Sequence, residues 1–138
     1  MNYADISKEP IGYLYKAYDS LKKSGIDPKL FAYAYLRVAQ LNGCAYCSGF
    51  HAQELRDLGV EQIMIDRFPG WRLSSYFDER QKAVLGWAEA ITLMKENIGP
   101  LREEVARHFT AQQMVDITAG ISLMNALTRL RITLDENH

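Results

Sequence analysis

LRVAQLNGCAYCSGFHAQELRDLGV, Leu36 to Val60, carries a helical pattern on each side of Asn42-Gly43. Upstream, DPKLFAYAYLRVAQLNG places Asp27 as an N-cap and Pro28 at the first helical position, and it stops at Asn42-Gly43. Downstream, Asn42 offers an N-cap for a second helix, and Gly59 offers its C-terminal stop. Strand-like alternation is missing from this stretch and from the rest of the chain.

The same punctuation continues outward. EPIGYLYKAYDSLKKSG puts Pro10 at a helix start and Gly25 at its end, with Ile11, Leu14, Tyr18 and Leu21 at helical spacing. A short helix is expected over 60–67, followed by FPGWRLSSYF as an aromatic-rich loop. DERQKAVLGWAEAITLMKEN opens with a capping box of Asp78 and Gln81. A short helix around 100–108 leads to TAQQMVDITAGISLMNALTRLRI, where Thr110 and Gln113 form a second capping box. The fold expected is all-α, with six or seven helices in one domain over residues 1–138. Gly86 and Gly120 fall inside helical patterns, where each costs about 1 kcal/mol relative to Ala; they mark close helix–helix approach. Trp87, the tyrosines and the methionines sit at helical spacings and belong to the core or a subunit interface rather than to a cofactor box.

Composition narrows the function. The chain has 138 residues, 48% hydrophobic and 24% charged, with a net charge of −1. That is enough for a core without staples, and nothing marks a basic face for nucleic acid. MNYADISKEP lacks the features of a secretory leader, and runs such as FAYAYL are too short to cross a bilayer. A cytoplasmic setting is expected, in which thiols are kept reduced and a structural disulfide is not expected. A bridge from Cys44 to Cys47 would in any case close a very small loop and constrain little.

Cys44, Cys47 and His51 fall within an arc of about 60° on one helix face, at ~100° per residue. Two sulfurs and an imidazole are thus gathered without help from the rest of the fold. A thiolate is the reactive species, so a redox site must favour it over the thiol. With Asn42 as N-cap, Cys44 sits in the first turn, where free N–H groups favour negative charge. His51, one turn beyond Cys47, can take its proton or stabilise its thiolate. The second cysteine can then attack a sulfenic acid or mixed disulfide formed on the first. The helix end argues for Cys44 as the attacking sulfur and the histidine for Cys47. Zinc is the chemical rival, but three ligands need a fourth, and no spacing points to His108 or to a carboxylate. Haem attachment needs His directly after the second Cys, where Ser48 stands, and the βαβ context of thioredoxin is absent.

The run Asn42-Gly43-Cys44-x-x-Cys47-x-x-x-His51 closely resembles the hallmark of AhpD-like alkylhydroperoxidases, within the carboxymuconolactone decarboxylase family. A weaker likeness continues through FDERQKAVLGWAEAIT and ISLMNALTRL, covering about residues 30–130. The resemblance implies an AhpD-like helical bundle that assembles into trimers or hexamers. It also implies a thiol-dependent peroxidase or disulfide oxidoreductase of antioxidant defence, with Cys44 and Cys47 as the redox pair and His51 in a proton relay. A peroxide would be the substrate. A dithiol donor or redox partner protein, such as a lipoyl-bearing protein or a peroxiredoxin, would exchange electrons with the pair. No cofactor, metal, nucleic acid or membrane is implied. Two other readings use the same residues: a metal-binding or redox-sensing helical protein without catalysis, and a decarboxylase-like enzyme acting on a small lactone acid. Decarboxylases of the family usually lack the cysteine pair. One departure stands out. The family's relay carries a glutamate twelve residues before the first cysteine, and that position is Ala32 here. Tyr35 and Glu54 are its possible replacements; Gln81, where relatives often carry an acid, already serves its capping box.

Overall fold

The computed structural model describes residues 1–135, so the last three residues of the expected domain lie outside the described residues. The elements are α1 (Tyr3–Ile6), α2 (Lys8–Leu21), α3 (Pro28–Asn42), α4 (Ala45–Asp57), α5 (Gln62–Asp66), a 3₁₀ helix (Phe68–Leu73), α6 (Glu79–Thr92), α7 (Ile98–Ala106) and α8 (Ala111–Leu134). All seven expected helices are present, and no strand occurs among the described residues. No helix among them is long and apolar enough to cross a membrane.

Helix starts follow the local chemistry. Asp27 accepts from the Lys29 N–H at 3.0 Å, and Asp78 with Gln81 and Thr110 with Gln113 form complete capping boxes. Several boundaries differ from the sequence reading. α2 starts at Lys8 behind Ser7, so Pro10 lies in its first turn, where a missing N–H costs no intrahelical bond. It ends at Leu21; successive tight turns then carry the chain to Gly25, whose φ of 80° completes the reversal. The aromatic loop contains the 3₁₀ helix. Its Phe68 and the later Phe77 pack edge-to-face (centroids 5.3 Å apart), and Phe68 also meets Tyr33 at 5.7 Å. The segment is aromatic because it plugs the core.

α3 is the centre of the bundle, packed against α4, α6 and α8. Residues 30–36 of this helix are all buried, as a helix surrounded on all sides requires. Two polar clusters fix it. Buried Glu89 of α6 accepts from Arg37 of α3 (2.9 Å), Trp71 (2.8 Å) and Arg72 (2.5 Å), with Lys95 at 3.6 Å. At the far end, Asn42 donates to Asn125 and Thr128 of α8, both at 3.0 Å, and Asn125 donates to Thr92 at 3.0 Å. The two helical glycines separate here. A Cβ on Gly120 would lie 2.9 Å from the Tyr35 hydroxyl and 3.0 Å from Phe31, so α8 does approach α3 closely. A Cβ on Gly86 would meet only Trp71, at an ordinary 3.5 Å.

Candidate active site

The site begins where α3 ends. Gly43 takes a left-handed conformation (φ 73°) as the C-cap of α3, and the chain turns straight into α4. Cys44 is therefore the N-cap itself, with extended backbone, rather than a first-turn residue behind Asn42. Asn42 is still helical and spends its side chain on α8, which sequence spacing could not reveal. The Cys44 sulfur takes the capping role and accepts the Cys47 N–H at 3.2 Å.

Cys44 and Cys47 are joined in a disulfide, with Cα atoms 5.3 Å apart. The two sulfurs face different surroundings. Cys44 is 0% exposed and packs with Ala39, whereas Cys47 is 7% exposed. A cavity of about 210 Å³ reaches Cys47 and His51 but not Cys44. Its walls are largely apolar: Tyr18 from α2, Tyr46 and Phe50 from α4, and Met124 and Leu127 from α8. Arg131 stands among them as a cation. Tyr46 and Phe50 stack with centroids 6.3 Å apart, and both are about half exposed.

His51 is buried, and its Nδ1 lies 2.9 Å from Glu54 Oε2. Its ring meets Phe50 edge-on at 5.2 Å and Tyr35 at 5.4 Å. Helical spacing thus brings Cys47 and His51 to one cavity as expected and leaves Cys44 behind them. Ala32 is wholly buried and carries no acid. Of its two possible replacements, Glu54 is hydrogen-bonded to the imidazole, while Tyr35 only packs against it. Burial, with smaller contributions from Tyr18 and Glu54, pushes the Tyr35 phenol far above its ordinary value, so it stays protonated. Burial also raises Tyr18, with help from Glu54 and Asp19, to about 12. A second, small cavity of about 50 Å³ is lined in part by Tyr18, Tyr35 and Glu54.

His108, weighed as a fourth metal ligand, pairs instead with Glu104 at 3.4 Å. Among the described residues, no three His, Cys, Asp or Glu side chains are placed to hold a metal ion. Sequence reasoning missed the cavity walls. Tyr46 and Phe50 flank the cysteine–histidine face at helical spacing and were available to it; Tyr18 and Arg131 arrive from distant helices and carry no local signal.

Comparison with known proteins points to one family. Residues 12–90 match the model of the carboxymuconolactone decarboxylase family. YdfG, an uncharacterized protein of Bacillus subtilis (strain 168), is 27% identical over 136 residues, covering 97% of this chain and 92% of its own length. YnjA, an uncharacterized protein of Escherichia coli (strain K12), is 27% identical over 115 residues, covering 83% of this chain and 63% of its own length. The crystal structure of an Agrobacterium tumefaciens protein of unknown function, put forward as an AhpD antioxidant defence protein, superposes with a TM-score of 0.93. It is 28% identical, and the match covers 100% of this chain and 96% of that one.

Proposed function

The chain belongs to the carboxymuconolactone decarboxylase family, and within its AhpD-like branch we propose that it is a thiol-dependent peroxidase or disulfide oxidoreductase. Family membership fits an enzyme of the oxidoreductase or the decarboxylase kind. One observation carries the oxidoreductase reading: a bonded cysteine pair of which one sulfur, beside a buried imidazole, faces an apolar cavity.

The exposure of the two sulfurs supports Cys47 as the attacking sulfur and Cys44 as the resolving one. In the reduced pair, His51 takes the Cys47 proton. The Cys47 thiolate attacks one peroxide oxygen; the O–O bond breaks, the alkoxide leaves as the alcohol with that proton, and Cys47 becomes a sulfenic acid. Cys44 gives up its proton and attacks the Cys47 sulfur as thiolate; hydroxide leaves, takes up that proton as water, and the disulfide forms. A dithiol donor then attacks Cys47, the sulfur it can reach. Cys44 departs as a thiolate that the Cys47 N–H at the helix start receives. The donor's second thiol releases Cys47 and closes the donor's own disulfide.

Glu54 orients the base. An ionised carboxylate only accepts, so Nδ1 carries the hydrogen and Nε2 keeps its lone pair for the thiol. Glu54 therefore supplies the carboxylate that Ala32 of α3 lacks, from α4, one turn beyond His51. The electron donor is a small dithiol or a partner protein, and the family resemblance supports a cytoplasmic homo-oligomer.

Peroxide turnover with a dithiol donor tests the reading. Cys47→Ser should abolish it; Cys44→Ser should lose the internal disulfide and slow it, and with a monothiol in place of the dithiol should trap a mixed disulfide on Cys47. Full activity in both single variants would exclude the mechanism. Survival of a decarboxylase activity in the double variant would move the protein to the other branch of the family.

A further inference from the structure

The cavity that reaches Cys47 also contains a cation that the proposed redox steps do not use. Arg131 is the one formally charged side chain, His51 aside, among the described residues lining this cavity. Its guanidinium lies 4.0 Å from the centre of the Tyr46 ring and gives one N–H to Asp135 at 2.9 Å. Its side chain is only 22% exposed. A guanidinium has five N–H donors, and no other acceptor pairs with this one among the described residues. Arg131 is thus held on two sides and keeps most of its donors available.

Its position is also particular. A larger neighbouring cavity of about 570 Å³ shares Tyr15, Tyr46 and Arg131 with the one that reaches Cys47, so Arg131 stands where the two meet. Asp135 lines only the larger cavity. A molecule reaching Cys47 therefore lays an apolar body along Tyr18, Phe50, Met124 and Leu127 and brings its other end to a guanidinium. We propose that Arg131 binds the carboxylate of an amphipathic organic hydroperoxide whose peroxide group meets Cys47. This rests on the peroxidase reading and names the substrate class for it.

The anion is a carboxylate on two counts. The flat fork of a guanidinium matches a planar carboxylate in bidentate fashion. Because Asp135 already offsets much of this cation, the site takes at most a single negative charge and repels a phosphate dianion. The cavity that reaches Cys47, at about 210 Å³, is smaller than the roughly 300–1,000 Å³ of pockets for drug-sized ligands, which favours a short or medium chain.

The test uses the full chain, reduced, with dithiothreitol as donor. Turnover is compared for a hydroperoxy carboxylic acid of about eight carbons and its methyl ester, a size set by the cavity. The acid should exceed the ester in kcat/KM by roughly tenfold or more, the worth of a charge-assisted hydrogen bond. Arg131→Gln should bring that ratio towards one, and Arg131→Lys should restore part of it. Equal use of acid and ester by the native protein, or an unchanged ratio in Arg131→Gln, overturns the proposal. Calorimetric binding of octanoate against 1-octanol reads the same preference without turnover. If no hydroperoxide is consumed but octanoate binds in preference and loses that preference in Arg131→Gln, the anion site stands and the peroxidase reading falls. If octanoate shows no preference over 1-octanol, the anion site falls whatever the turnover shows.

Discussion

Replacing Glu89 by Gln keeps the shape of the side chain and removes its charge from the cluster that ties α3 to α6. Burial alone would raise this carboxyl, but hydrogen bonds from Trp71, Arg72 and Arg37, with the charge of Arg37, outweigh it and hold the value at about 2. The ordinary value is 4.5. The difference corresponds to about 3 kcal/mol of folding free energy at neutral pH, since one unit is worth about 1.4 kcal/mol. Because the folded carboxyl lies below its unfolded value, the contribution is whole above about pH 4.5 and disappears as pH falls through about 2. By pH 3 about 1.4 kcal/mol remains. Urea denaturation of both proteins at one concentration should show Glu89→Gln weaker by about 3 kcal/mol at pH 7, equivalent to a melting point lower by roughly 10 °C. The two should converge as pH falls. A difference below about 1 kcal/mol at pH 7, or one that stays constant down to pH 3, would refute the account of Glu89 as a charged clamp.

Two further substitutions address packing. Gly120→Ala should destabilise by about 1–3 kcal/mol in thermal melts, because its Cβ would press on Tyr35, Phe31 and Leu21. Gly86→Ala should be neutral or add up to about 1 kcal/mol, because its only neighbour is at contact distance. Asn125→Ala should cost about 2 kcal/mol by stripping partners from Asn42 and Thr92. It should also speed hydrogen exchange at the amides of Gly43 and Cys44, where the chain turns between helices.

The features legible in the sequence were those written in neighbouring residues. Asp27, Asp78 and Thr110 cap helices through bonds that span two or three positions, so their roles follow from spacing alone. The single face shared by Cys47 and His51 follows from helical periodicity in the same way. Asn42 is the counterexample. It is a good N-cap residue by type, but α8 supplies Asn125 and Thr128 within its reach, and the capping role passes to a cysteine sulfur. The cavity was illegible for a related reason. Tyr18, Met124 and Arg131 become neighbours of Cys47 only once α2 and α8 have packed. Gly86 and Gly120 look alike in sequence, and only the placement of Tyr35 and Phe31 against α8 tells them apart.

The sulfur–sulfur bond spans three positions within the first turn of α4, and that small loop sets up a thermodynamic square. Its corners are the folded and unfolded chains, each oxidised or reduced. A loop so short removes little disorder from the unfolded chain, so oxidation there resembles oxidation of a free peptide. The unfolded side of the square is therefore nearly a fixed reference. Whatever the fold adds to either redox state appears in full as a change of reduction potential. The Cys47 N–H that receives the Cys44 sulfur favours the reduced, charged state, and each 1.4 kcal/mol of such preference raises the potential by about 30 mV. The oxidising strength of the pair can thus be measured as a difference between two unfolding curves.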